Sequence, residues 1–229
     1  MRKFVLFAFI ISAFALSASA AHGQVLTEIL RRMDANNKAL QSLRADVTMV
    51  KTNTQLGESD TSVGTTSYLP KSPKTKNTMY ARIDWTKPVE EQISVIGDSY
   101  ELYRPRLNQV IQGKTNSAQG NAKASGALAI MTMSKDQLKA NYTVVYLGEE
   151  NVSGGTATWH LQLTPKAANT YKGAELWVDK DGMPRQAKVL EQNNDTTTVL
   201  LANIRKNETI KGDTFRLNYN KNKVKIIKG

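Results

Sequence analysis

Leu26, Ile29, Leu30 and Met33 fall at i, i+3, i+4 and i+7, so a helix would carry all four on one face. Leu40 and Leu43 continue the apolar positions while Arg31, Arg32 and Lys38 lie among the polar ones, which predicts a helix over 25–43, weakened at Asn36-Asn37. From Arg44 the period changes to two. Met79, Ala81, Ile83 and Trp85 alternate with Tyr80, Arg82 and Asp84, the pattern of a half-buried strand. Pro88 interrupts that run, Ile93 and Val95 follow, and Gly97-Asp98 turns the chain into Tyr100–Tyr103. Trp159, Leu161 and Leu163 alternate with Thr158, His160 and Gln162. Leu176 and Val178 precede Asp179-Lys-Asp-Gly182, where Gly182 can supply the positive φ of a tight hairpin. Lys188–Glu191, Thr196–Ile204 and Phe215–Tyr219 complete the predicted strands. Turn residues recur roughly every ten residues, the spacing of an antiparallel meander.

One insertion breaks this rhythm. Thr115–Ser125, rich in Gly, Ala, Asn and Ser, reads as a loop and leads into Leu128, Ile130, Met131 and Met133. Ser134-Lys-Asp-Gln137 is a capping box that starts a second short helix, with Met133 and Leu138 placed for a hydrophobic staple. No break in composition divides the chain, so residues 21–229 are expected to form one domain.

The N-terminus adds a destination. Arg2-Lys3, an apolar run from Phe4 to Leu16 and Ala18-Ser-Ala20 have the parts of a secretory signal peptide over 1–20, with Gly23 as the other cleavage point. Export changes the meaning of the charge. A net charge of +11 and a pI of 9.7 would suggest nucleic acid in a cytosolic chain. In an exported one they suggest anionic lipid headgroups or an acidic protein, with transient contact at a membrane surface and no nucleic acid.

Candidate chemistry is sparse. The 229 residues hold no cysteine and two histidines, His22 and His160, which excludes disulfides, thiolate chemistry and a multi-histidine metal centre. His160 sits on the polar phase of its strand with no motif around it. Glu90-Glu91 and Glu149-Glu150 are sequence neighbours, so on a strand each pair points to opposite faces instead of one acid–base site. Asp179-Lys-Asp-Gly182 begins like a calcium loop, but Met183-Pro-Arg185 supplies no ligands. No catalytic residue, metal or cofactor is expected. The positive signal is apolar. Met49, Met79, Ile83, Trp85, Ile93, Val95, Leu102, Leu128, Ile130, Met131, Met133, Trp159 and Leu161 are candidates to line a lipid-binding cavity on one face of a curved sheet. Four of them are methionines, whose flexible thioethers suit variable acyl chains. The competing reading is a filled core built from the same residues.

Several segments, in order, carry a family resemblance: Ile29-Leu-Arg-Arg-Met33 with Leu40-Gln-Ser-Leu43, Trp85-Thr-Lys-Pro88, and Gly97-Asp-Ser-Tyr-Glu-Leu-Tyr-Arg-Pro105. The second half adds His160-Leu-Gln-Leu-Thr-Pro-Lys166, Leu176-Trp-Val-Asp-Lys-Asp-Gly182 and a final Phe215-Arg-Leu strand. Together, from Val25 to Lys228, they resemble the periplasmic lipoprotein carriers of LolA type and their lipoprotein-sorting relatives. The resemblance implies an α+β fold, mainly β, in which helices cover an incomplete antiparallel β-barrel around an apolar cavity. It implies a soluble, non-enzymatic periplasmic carrier that shields the acyl chains of lipoproteins on their way from inner to outer membrane. Its partners would be acylated lipoproteins, the inner-membrane lipoprotein-releasing ABC transporter and an outer-membrane acceptor. Where carriers of this type have an arginine beside a proline, this chain has Pro73-Lys74-Thr75-Lys76, leaving Lys74 and Lys76 as candidate gating residues. Two rivals stand beside the carrier: an envelope-stress sensor or regulator on the same fold, and a secreted hydrolase with an unrecognised site.

Overall fold

The computed structural model describes residues 23–115, 122–167 and 171–228. The expected leader over 1–20 lies outside the described residues, as do residues 116–121 of the expected loop. Helix α1 covers 23–39 and is followed by β1 (Leu43–Asn53), β2 (Glu58–Leu69), β3 (Tyr80–Lys87), β4 (Glu91–Ile96), β5 (Ser99–Arg104) and β6 (Gln109–Lys114). Helices α2 (Ala122–Met131) and α3 (Lys135–Asn141) interrupt the strands. The chain resumes with β7 (Tyr142–Val152), β8 (Thr156–Pro165), β9 (Tyr171–Asp179), β10 (Pro184–Glu191) and β11 (Thr196–Lys206), and ends in β12 (Lys225–Lys228).

These twelve strands share one open sheet, in the order β12-β6-β5-β4-β3-β2-β1-β11-β10-β9-β8-β7. It consists of two antiparallel meanders, β1–β6 and β7–β11, joined where β1 pairs with β11 in a register that sets Met49 opposite Val199. Among the described strands, only β12 runs parallel to its neighbour, β6. The sheet is an unclosed half-barrel whose inner face holds the three helices. No helix among the described residues is long and apolar enough to cross a membrane.

The expected capping box forms. Ser134 accepts from the Gln137 amide, and Gln137 reaches back to the Ser134 amide. Met133 packs against the core that contains the fully buried Leu138, the staple arrangement. Gly182 does adopt a positive φ, +81°, and Asp179 fastens this hairpin by accepting from the Asp181 and Met183 amides and from Arg185 at 2.6 Å.

Three boundaries differ from the pattern-based expectation. Residues 122–125, expected as the end of the loop, open helix α2 instead. Helix α1 stops at residue 39, and Leu43 opens β1 instead of closing the helix. Long-range bonds decide this: the Gln41 amide donates to Asn207 Oδ1 and the Asn207 amide to the Ser42 carbonyl, while Leu43 pairs with Lys206. Phe215–Tyr219 is not a strand either. A 3₁₀ turn, Gly212–Phe215, opens a strap over the outer face of the sheet. There Arg82 donates to the Thr214 and Arg216 carbonyls, Ser94 donates to the Phe215 carbonyl, and the Phe215 ring lies 5.4 Å from that of Tyr80. Side chains of the sheet, instead of a neighbouring strand, satisfy this segment's backbone.

Candidate functional site

Cross-strand neighbours place their side chains on one face of a sheet, so the register defines the inner surface. One row runs Met49–Val199–Ala187–Leu176–Leu161–Tyr146 across β1, β11, β10, β9, β8 and β7. A second runs Thr66–Ile83–Ile93–Leu102–Ile111 across β2 to β6. Trp85 is registered with Gly64, where β2 and β3 approach so closely that a Cβ would meet the Asp84 carbonyl oxygen at 2.2 Å. Ile29, Leu30 and Met33 of α1, Ala127, Ile130 and Met131 of α2, and Leu138 of α3 join these rows in a single buried cluster. Helix α2 packs on β9, β10 and β11, and α3 on β7.

Of the thirteen lining candidates, Met49, Ile83, Trp85, Ile130, Met131 and Leu161 lie inside that cluster, and Ile93, Leu128, Met133 and Trp159 pack against it. Leu102 is buried and reaches the same face through its pairing with Ile93. Val95 is half-buried and on the same face through its pairing with Ala81, and Met79 is half-buried just before β3; both lie outside the cluster. Trp159 also meets α1, the Arg32 guanidinium standing 5.3 Å from its ring centre. With the helices seated, side chains fill the inner face.

Clefts open at its margins. One of about 320 Å³ lies between the end of α3 and the adjoining ends of β7, β8 and β9, lined by Met133, Ala140, Tyr142, Pro165, Lys166 and Tyr171. The Tyr142 and Tyr171 hydroxyls are hydrogen-bonded there, and burial, reinforced by that bond, pushes the Tyr142 phenol well above its ordinary 10.0. Sequence reading missed this pair because the two tyrosines come from strands that are not neighbours in the sheet. A second cleft, about 330 Å³, sits where the inner face of β1, β2, β10 and β11 turns polar, with Lys51, Glu58, Asp60, Glu191 and Asp195 on its rim.

His160 points to the outer face, opposite in phase to Leu161. Its ring stacks on Trp177 at 4.3 Å, and its two nitrogens lie 3.0 Å from carboxylate oxygens of Glu150 and Glu175. Glu150 also accepts from the Trp177 indole at 2.9 Å. This cluster contains no nucleophile, and no group of three or more His, Asp or Glu among the described residues could hold a metal ion. Lys74 and Lys76 are exposed on the β2–β3 loop, and Lys74 Nζ donates to Gln41 Oε1 at 3.0 Å.

The family profile of the outer membrane lipoprotein carrier protein LolA matches residues 79–218. The chain belongs to the LolA family. Its fold recurs in a conserved protein of Thermus thermophilus that is 14% identical, with a TM-score of 0.56 over 90% of this chain and 99% of that one. It recurs in MucB, at 16% identity and a TM-score of 0.54 over 84% of this chain and 62% of MucB. In the Pseudomonas aeruginosa MucA/MucB complex the TM-score is 0.50 and the identity again 16%, over 83% of this chain and 60% of that one. The LolA-like chain thus spans about 60% of the MucB chain in that complex. No curated protein matches the sequence.

Proposed function

We propose that the protein is an exported carrier that shields the acyl chains of lipoproteins in the periplasm during their transfer from inner to outer membrane. The observation that supports this most is the apolar row from Met49 to Tyr146, which crosses six strands without a charged residue and is roofed by short helices. Helix α2 has ten residues, and a helix that short is marginal in water without its packing. An acyl chain entering beneath it replaces the contacts of Leu128, Ile130 and Met131 with methylene contacts of the same kind. Ten buried methylenes contribute about 8 kcal/mol, the equivalent of a micromolar dissociation constant before the cost of moving α2. The lining is the set of thirteen candidates named above, and the partners are those that the LolA resemblance implies: a releasing transporter, an outer-membrane acceptor and acylated lipoproteins. Lipid extraction and mass spectrometry of the purified protein, with a fluorescent fatty-acid titration, test the reading. Recovered acyl lipid and saturable binding support it, and a lipid-free protein that does not respond to the probe would overturn it.

The likeness to MucB, solved in complex with MucA, favours a second reading, a regulator that binds a protein partner with the same fold. Depletion in cells separates the two: loss of a carrier strands lipoproteins at the inner membrane, and loss of a regulator alters the stress response with sorting intact.

A further inference from the structure

Between Pro70 and Tyr80 the β2–β3 loop carries Lys71, Lys74 and Lys76 and no acidic residue. Its turn is locally fixed. Ser72 Oγ accepts from the Thr75 amide, Thr75 Oγ1 accepts from the Ser72 amide, and Lys76 closes the turn in the left-handed region at φ 51°. Lys74 holds Gln41, and the Gln41 amide holds Asn207, so the loop is tied to the α1–β1 connection and to the end of β11. That tie brings Arg44, Arg205 and Lys206 to the same end of the sheet, where Arg44 is registered with Arg205 and Leu43 with Lys206. The carboxylate of Glu208 serves this group, 4.0 Å from Arg44 and 3.9 Å from Arg205. Asp98, on the neighbouring β4–β5 turn, is engaged by Lys114 at 3.1 Å. At the same end the β7–β8 and β9–β10 hairpins carry Glu149, Glu150, Asp179 and Asp181, so the basic patch is confined to the β2–β3 loop, the start of β1 and the end of β11. The opposite end of the sheet mixes its cations with Glu58, Asp60, Glu90, Glu91, Glu191 and Asp195.

We propose that this basic patch, at one end of the half-barrel, docks on an anionic membrane surface. Lysines on a turn fixed by its own hydrogen bonds lose no backbone order when they meet headgroups. Like charges held side by side with few acids among them gain by sharing a negative surface. The inference assumes the exported location but not acyl-chain binding, so the two stand or fall separately.

Flotation with vesicles of phosphatidylglycerol and phosphatidylcholine in about equal parts tests it, with pure phosphatidylcholine vesicles as the uncharged reference. The variant Lys71→Gln/Lys74→Gln/Lys76→Gln is compared with Lys221→Gln/Lys223→Gln/Lys225→Gln, which removes the same charge from exposed positions at the opposite end, where Lys225 pairs with Gln109. The first variant is expected to bind anionic vesicles more weakly by on the order of 100-fold, and the second by less than about threefold. Lys71→Arg/Lys74→Arg/Lys76→Arg should bind like the parent, which shows that charge and not folding is read. Equal losses in both glutamine variants would overturn the location. No binding by the parent, or undiminished binding by the folded first variant, would overturn membrane docking altogether. Lipid extraction and fatty-acid titration of the parent protein, read independently of flotation, separate this result from any failure of the carrier reading.

Discussion

Gly182 lies so close to Arg32 that a Cβ on the glycine would stand 2.3 Å from both the carbonyl carbon and the carbonyl oxygen of Arg32. The β9–β10 turn is thereby wedged against the backbone of α1, and Arg32 Nη1 donates to the Lys180 carbonyl at 2.7 Å to close the contact. This is how α1 is positioned over the sheet. Gly182→Ala must both adopt φ +81° and push α1 away, for an expected loss of about 2–4 kcal/mol. Gly212→Ala is the control, since a methyl group added there would meet nothing within 4 Å and its φ is ordinary; it should stay within about 0.5 kcal/mol. Urea unfolding of both variants checks the contrast, and equal stabilities would refute the wedge.

Acid should loosen the same helix. Hydrogen bonds from Arg31, then Arg32, hold the Glu28 carboxyl down from 4.5 to about 2. A depressed folded pKa stabilises the fold above the unfolded value. The contribution is therefore complete above about 4.5 and disappears as the pH falls towards about 2. The group is exposed and screened by salt, so the effect is small. Glu28→Gln should be less stable than the parent at neutral pH and converge with it across that window, which thermal melts at low salt can follow.

His160 should be dispensable for acyl binding. It faces away from the Met49–Tyr146 row, and its neighbours keep other partners, Glu150 the Trp177 indole and Glu175 the Lys188 ammonium at 3.6 Å. His160→Ala is expected to cost about 1–2 kcal/mol of stability and to leave fatty-acid affinity unchanged. A folded variant with lost affinity would show that the outer face takes part.

A charge at Met131 should separate roof from wall. Met131 is 7% exposed on α2, whereas Leu161 is fully buried on β8, a strand hydrogen-bonded to β7 on one side and β9 on the other. An unpaired carboxylate is costly in either place, but α2 can move off the sheet and a strand paired on both sides cannot. Met131→Asp is expected to lose fatty-acid affinity at least about tenfold while lowering the thermal midpoint less than Leu161→Asp, which should cost about 4 kcal/mol or more. Unchanged affinity in a folded Met131→Asp protein would mean that α2 belongs to a permanent core.

Local chemistry, visible in the amino-acid order, settled much of the architecture. Alternation assigned Ile83, Trp85 and Leu161 to one face and His160 to the other, because side chains on a strand change sides at every residue. The Ser134–Gln137 box and the Gly182 turn depend on atoms a few residues apart, so they too could be read directly. Bonds between distant segments decided the rest. Leu43 fits a helical stripe as well as a strand, and its pairing with Lys206 made it a strand. Phe215 alternates like a strand residue, yet Arg82 and Ser94, over a hundred positions away, draw its backbone into a strap. The pairing of Tyr142 with Tyr171 depends likewise on the strand order. How fully the inner face is packed also belongs to the tertiary structure: alternation identifies the side chains on a face, but the distance at which α1, α2 and α3 rest over them determines the space that remains.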